Sequence, residues 1–289
     1  MFLSACSLAA NPLLKNRKKD KAMEAYKQGN YSAALSIWSS SIAKYESRHK
    51  ERKCSVYTLA GIAAYRLNKT DQARNYFEHA RNGISENAQT FWYLAKIYRK
   101  IDNLSLEIDA LENYLKKYPH GTNIQQVKKR LLFTYVESEN WDNFLNLWKI
   151  IPASSKDSLT YQQAFLSAQA GLNHVGKADS VATSILKVYP EDRPAMAWKA
   201  NKYYTLAENL YESEMKAYKK HKTRAQYARL LKAFDVVSAN FKRALIYYRK
   251  LYKMHPTTLF ANRLGTIYMR MDEKPKAQYY LQMAKKLKN

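Results

Sequence analysis

YTLAGIAAYRLNKTDQARNYFEHA, residues Tyr57 to Ala80, decides the fold. Tyr57, Ala60, Gly61 and Ala64 fall on one face at helical spacing, Leu67-Asn68-Lys69-Thr70 interrupts the pattern, and Ala73, Phe77 and Ala80 resume it. The spacing predicts two short helices joined by a polar turn. Gly61 and Ala73 are small where antiparallel helices would touch, and Phe77 supplies the bulk. Such a hairpin buries too little apolar surface to stand alone, so it requires similar neighbours on both sides.

Those neighbours are present. AMEAYKQGNYSAALSIWSSSIAKY, beginning at Ala22, repeats the arrangement with a turn at Gly29-Asn30-Tyr31 and Ala34 and Trp38 in its second helix. The small residue of each second helix gives a ruler: Ala34, Ala73, Glu107, Phe144, Ala178, Ala244 and Ala277. The bulky residue four later gives another: Trp38, Phe77, Leu111, Trp148, Ala182, Tyr248 and Leu281. Both advance by 39, 34, 37, 34, 66 and 33 residues, and 66 is twice 33, so the spacing predicts one concealed unit before Ala244. Pro119, Pro190 and Pro256 each end a second helix on the same steps.

Leu264-Gly265-x2-Tyr268 followed by Ala277, and Leu94-Ala95-x2-Tyr98 followed by Pro119, carry the resemblance: the units are similar to tetratricopeptide repeats, over about residues 18 to 288. The resemblance implies an all-α, right-handed superhelical solenoid of about eight helix hairpins. Glu107 and Phe144 depart from the small-residue position, and insertions at Ser47–Lys53 and Gly121–Ile124 predict longer loops. The expected organisation is a lipobox remnant and linker over 1–14, repeats one to five over 15–192, a degenerate repeat or long helix over 193–223, and repeats seven and eight over 224–289. The concealed stretch, Arg193 to Lys222, contains no glycine and no proline after Pro194. It reads either as a hairpin turning near Leu206–Asn209, the preferred reading, or as one helix of roughly 28 residues and about 42 Å.

In the family the first helices line the inner surface and hold extended peptides or partner helices. Carried onto this chain, the resemblance implies a partner-binding groove of Tyr65, Arg66, Trp92, Lys96, Arg99, Lys100, Gln126 and Lys129, an aromatic-and-cationic lining suited to an acidic or extended segment with an apolar anchor. Trp92 reads equally as a residue packed between neighbouring helices. The Lys-and-Asn pair with which one subfamily clamps a C-terminal carboxylate is replaced by Lys19 with Met23, Trp92 with Lys96 and Lys129 with Phe133, which disfavours that activity.

Forty-nine Lys and Arg against 24 Asp and Glu give a formal charge of +25. The excess lies at the ends: residues 1–53 carry +7, 54–192 only +2, 193–256 carry +11, and 257–289 carry +5. Such a field favours an acidic protein, nucleic acid or anionic lipid, and nucleic-acid binding by the basic C-terminal third is the alternative to a protein partner. Twenty-four tyrosines suit helix seams, and those at 203, 204, 247 and 248 sit at core spacing, away from any base-stacking role. Of the two cysteines, Cys54 reads as an ordinary half-buried helix residue. Leu3-Ser4-Ala5-Cys6 resembles a lipobox, implying lipidation of Cys6 and a bacterial cell-envelope location facing the periplasm. Only Met1 and Phe2 precede it, so either a leader lies upstream or the match is chance and the protein is cytoplasmic. If Cys6 is lipidated, Lys15, Arg17, Lys18, Lys19 and Lys21 would lie beside an anionic membrane surface; otherwise they form a solvated first turn.

No GxSxG, HExxH, GxxxxGK[ST] or GxGxxG occurs, and no two histidines stand four apart. The expectation is therefore a protein without catalysis, cofactor or metal. His120 and His255, beside helix-ending prolines, read as C-terminal caps.

Overall fold

The computed structural model describes residues 21–288, and all regular structure among them is helical. Two compact units divide the chain, Met1–Lys149 and Ile150–Asn289. In the first, α1 (21–27 among the described residues) pairs with α2 (Tyr31–Glu46), α3 (Tyr57–Arg66) with α4 (Thr70–Ala80), α5 (Ala88–Lys100) with α6 (Leu104–Lys117), and α7 (Ile124–Glu137) with α8 (Trp141–Lys149). In the second, a short α9 (Ala153–Lys156) precedes the pairs α10 (Leu159–Gly171) with α11 (Val175–Val188), α12 (Arg193–Lys220) with α13 (Arg224–Met254), and α14 (Thr258–Arg270) with α15 (Lys274–Lys286).

Six of these hairpins reverse on the same device. One turn residue takes the left-handed conformation: Gly29, Asn68, Asp102, Glu139, Asn173 or Asp272, with φ between 53° and 78°. These positions advance by 39, 34, 37, 34 and 99 residues, the same steps as the rulers with the last two merged. The seam then closes on small residues. A Cβ on Gly61 would stand 2.7 Å from the Phe77 ring, and one on Gly265 2.7 Å from Leu281, so the same close approach recurs in each of the two units. Phe77 is fully buried, worth about 1.5–3 kcal/mol against exposure, and its ring stacks on Tyr93 at 5.5 Å, tying α4 to the next first helix.

At the concealed unit the structure takes the second of the two readings, one long helix, and not the preferred hairpin. Arg193–Lys220 is a single helix of 28 residues, and Arg224–Met254, read from the spacing as a further repeat, is one helix of 31. Together they form one hairpin of double length in place of two ordinary ones, making seven hairpins among the described residues where the rulers count eight. No residue between Asn173 and Asp272 has positive φ; the reversal at His221-Lys222-Thr223 leaves His221 and Thr223 extended.

An aromatic seam carries both helices past the missing turns. Tyr204 packs on Phe241 and Tyr248, Tyr211 stacks on Phe234 at 5.7 Å, and Tyr218 meets Tyr227 at 5.8 Å. Each strand of that ladder advances by seven residues, the repeat of a helix pair that stays in register. Asp192 and Thr223 cap the two helices through their side chains.

The predicted loops are as expected: α2 leads through a 3₁₀ turn at Glu51–Lys53, and residues 118–123 join α6 to α7. The small-residue position tolerates its departures by different means. Phe144 is buried and stacks on Trp148 at 5.7 Å. Glu107 is buried, and Arg130 from α7 clamps it with two bonds of 2.5 and 3.1 Å.

Candidate partner-binding site

The proposed groove residues lie on first helices of the first unit: Tyr65 and Arg66 in the last turn of α3, Trp92, Lys96, Arg99 and Lys100 along α5, and Gln126 and Lys129 in the first turns of α7. Tyr65 meets the edge of Tyr93 at 5.0 Å. The Lys96 ammonium lies 4.8 Å from the centre of Trp92 and 5.2 Å from that of Tyr93. Burial, and then the charge of Arg66, hold the Lys96 ammonium below the ordinary lysine range. Neither cation forms an ion pair among the described residues, and the Arg66 charge acts on Lys96, which lies against Trp92 and Tyr93.

The other four residues separate. Arg99 is bound to Glu137 of α7, which also accepts from Arg130, so a chain of charge from Glu107 through Arg130 and Glu137 to Arg99 holds α5, α6 and α7 together. Its charge is compensated, unlike that of Lys96. Lys100 donates to the Thr70 hydroxyl at 3.3 Å, at the start of α4. Gln126 and Lys129 are exposed. Counted back from the turn residues Asp102 and Glu139, Lys129 stands level with Trp92 on the next first helix. Cys6 and all of Lys15 to Lys19 lie outside the described residues.

Two participants escaped the sequence reading. Tyr93 has its Phe77 stack in the core and its edge to Tyr65 in the groove. Tyr26 of α1 is near enough to Tyr93 and Arg66 to feel both: burial first, then Tyr93 and Tyr31, push its hydroxyl pKa up, while Arg66 acts against them. The polar knot behind the groove was also invisible. Thr58 donates to the Ser85 carbonyl at 2.6 Å and meets Thr90 at 2.8 Å, while Asn87 caps α5, which fixes the entry of that helix.

Elsewhere the tyrosines at 203, 204, 247 and 248 are packed as the spacing requires: Tyr203 stacks on Tyr247 at 6.5 Å, and Tyr204 meets Tyr248 at 6.2 Å. His255 is the residue capping α13, whereas His120 lies beyond the α6 cap, Tyr118, and does not cap that helix. Among the described residues no group of three or more His, Cys, Asp or Glu is placed to hold a metal, and no helix is long and apolar enough to cross a membrane.

Residues 89–121, which comprise nearly all of α5 and α6, match the tetratricopeptide repeat family model. No curated protein sequence matches the chain. Among solved structures, the C-terminal part of a TPR repeat-containing protein from Cytophaga hutchinsonii is similar over 93% of this chain and 94% of its own, at 15% identity and a TM-score of 0.51. A candidate protein-binding protein from Bacteroides ovatus is similar over 75% of this chain and 98% of its own, at 19% identity and a TM-score of 0.51. Residues 89–121 thus match a tetratricopeptide repeat, and the chain has the all-helical fold of tetratricopeptide repeat proteins.

Proposed function

We propose that the chain is a non-enzymatic protein-interaction scaffold whose first-unit groove receives an acidic or extended partner segment with an apolar anchor. The supporting observation is the uncompensated pair Arg66 and Lys96 beside Tyr65, Tyr93 and Trp92. A carboxylate placed there relieves the repulsion between the cations, and an apolar side chain finds ring surface next to it. Crosslinked pulldowns with wild type, Trp92→Ala and Lys96→Glu test the assignment. Recovery of one or more partners should fall in both variants; unchanged recovery of every partner removes the site.

We further propose that Cys6 carries a lipid that tethers the scaffold to a bacterial cell envelope, on its periplasmic side, with the basic run from Lys15 to Lys21 beside the membrane surface. What supports this is the tetrapeptide Leu3-Ser4-Ala5-Cys6 followed by a short polar spacer. Mass spectrometry of the protein isolated from its own host checks it: a diacylglyceryl thioether on an N-terminal Cys6 is expected, and an unmodified Cys6 thiol assigns the protein to the cytoplasm instead.

A further inference from the structure

The double-length hairpin exposes a surface that its neighbours cover. Along its proximal half, α14 lies on the aromatic seam and seats an arginine over successive tyrosines: Arg263 over Tyr204 at 4.2 Å and Arg270 over Tyr211 at 4.0 Å. The two arginines are seven residues apart, matching the seven-residue step of the seam. Arg270 is the last residue of α14, so among the described residues that helix stops short of the third rung, Tyr218 against Tyr227.

Where α12 overhangs the end of α14 there is a cleft of about 390 Å³, walled by Tyr211, Met215, Glu212, Lys216, Lys219 and Arg270. The rung above it remains open to solvent: Tyr227 is 50% exposed, and Leu231, one helical turn further along α13, is 48% exposed. Lys216 and Lys219 form no ion pair among the described residues, whereas Arg270 is already paired with Glu208 through bonds of 3.0 and 3.1 Å.

We propose that this cleft docks an acidic amphipathic helix of another protein, lying on the α12–α13 seam end to end with α14. The inference rests on the reading of the chain as an interaction scaffold but uses a different surface. The shape asks for a helix, because α14 already shows that the seam accepts one at a seven-residue repeat. About ten residues of α12, from Tyr211 to Lys220, give a bed of roughly 15 Å, some three turns of a partner helix. Its apolar stripe would cover Met215 and Tyr218, and its carboxylates would meet Lys216 and Lys219. Glu212 on the same rim calls for one basic residue in the partner and so sets the register. A second copy of this chain is a poor occupant, since each carries +25. A flat bilayer reaches the basic tip from Lys219 to Arg224 but does not enter a recessed corner.

The test uses the full chain and three probes: a fluorescent model helix with a leucine stripe flanked by glutamates and one lysine, the same helix with its charges inverted, and phosphatidylglycerol vesicles. Wild type should prefer the acidic helix. Lys216→Glu with Lys219→Glu should weaken that binding by about tenfold and improve binding of the inverted helix, and Met215→Ser should weaken both peptides. Both lysines are exposed, so thermal melts should be unaltered. Lys96→Glu should leave in place the share of acidic-helix binding that the double lysine variant loses. Equal binding of the acidic helix by wild type and the double variant overturns the inference. Loss in Lys96→Glu alone also overturns it, and leaves the first-unit groove as the binding site. Vesicle binding abolished by the double variant, with peptide binding intact, overturns it in favour of a membrane contact.

Discussion

The α3–α4 and α12–α13 hairpins are built from the same materials and end up different in kind. Both pack small residues and aromatic rings along a seam: Gly61, Ala73 and Phe77 in the first, Ala200, Ala207, Tyr204 and Phe241 in the second. Both have polar stretches where a chain reversal is conceivable. In the first, Asn68 adopts φ of 59° and the chain turns after ten helical residues; in the second, Asn209 remains helical and α12 continues to Lys220. A polar residue thus permits a reversal without compelling one. The seam compels it or forbids it: beyond Arg66 the α3–α4 pair offers Leu67, Asn68 and Lys69, while beyond Asn209 the longer pair offers Tyr211 and Tyr218 with partners waiting at Phe234 and Tyr227.

The largest expected effect sets core rings of the two hairpins against each other. Phe77→Ala removes a fully buried ring that also carries the stack on Tyr93, and should cost about 3–5 kcal/mol. Phe234→Ala removes a half-buried ring from the distal seam and should cost only about 1–2 kcal/mol. Urea unfolding followed by hydrogen exchange reads each hairpin separately. Equal costs would mean that the distal seam is buried as deeply as a repeat core, which breaks the contrast and the open-rung argument with it. Next in size is Gly61→Ala. The new methyl meets the Phe77 ring at 2.7 Å, closer than van der Waals contact, and should cost about 1–3 kcal/mol unless the ring moves away from Tyr93. A shift of the α4 and α5 amide resonances without loss of stability would show that the seam yields instead.

Much of this architecture was legible because the repeat imposes the same demand at each step. Small residues must appear where helices touch, and they did at Ala34, Ala73, Ala178 and Ala277, all fully buried. The double-length hairpin was not legible, for a physical reason. Its length is a multiple of the repeat period, so Ala244 and Tyr248 fall on the rulers whether or not a turn precedes them. What spoke against that turn was the seven-residue series Tyr204, Tyr211, Tyr218 and its antiparallel counterpart Tyr227, Phe234, Phe241, Tyr248, a period that helix-hairpin spacing does not interrogate. In the groove, residue types identified Trp92 and Lys96, but the status of each cation depended on partners far away in sequence. Arg99 is compensated by Glu137, 38 residues on, and Lys96 by nothing among the described residues.

The smallest effect is the sharpest comparison, because one substitution is expected to change sign between the two hairpins. Asn68 sits in the left-handed region, where a Cβ crowds the following carbonyl and asparagine is among the few residues that tolerate it. Asn68→Ala should therefore destabilise α3–α4 by about 1 kcal/mol, and Asn68→Gly should be neutral or stabilising. Asn209 is exposed in the interior of α12, where asparagine is a poor helix former, so Asn209→Ala should stabilise the long hairpin by about 0.5 kcal/mol. Thermal melts and exchange rates of the flanking amides measure both. If Asn209→Ala instead destabilised the protein by as much as Asn68→Ala, then α12 would be turning near Asn209 in solution. Chain reversal would then follow the polar residue rather than the aromatic seam.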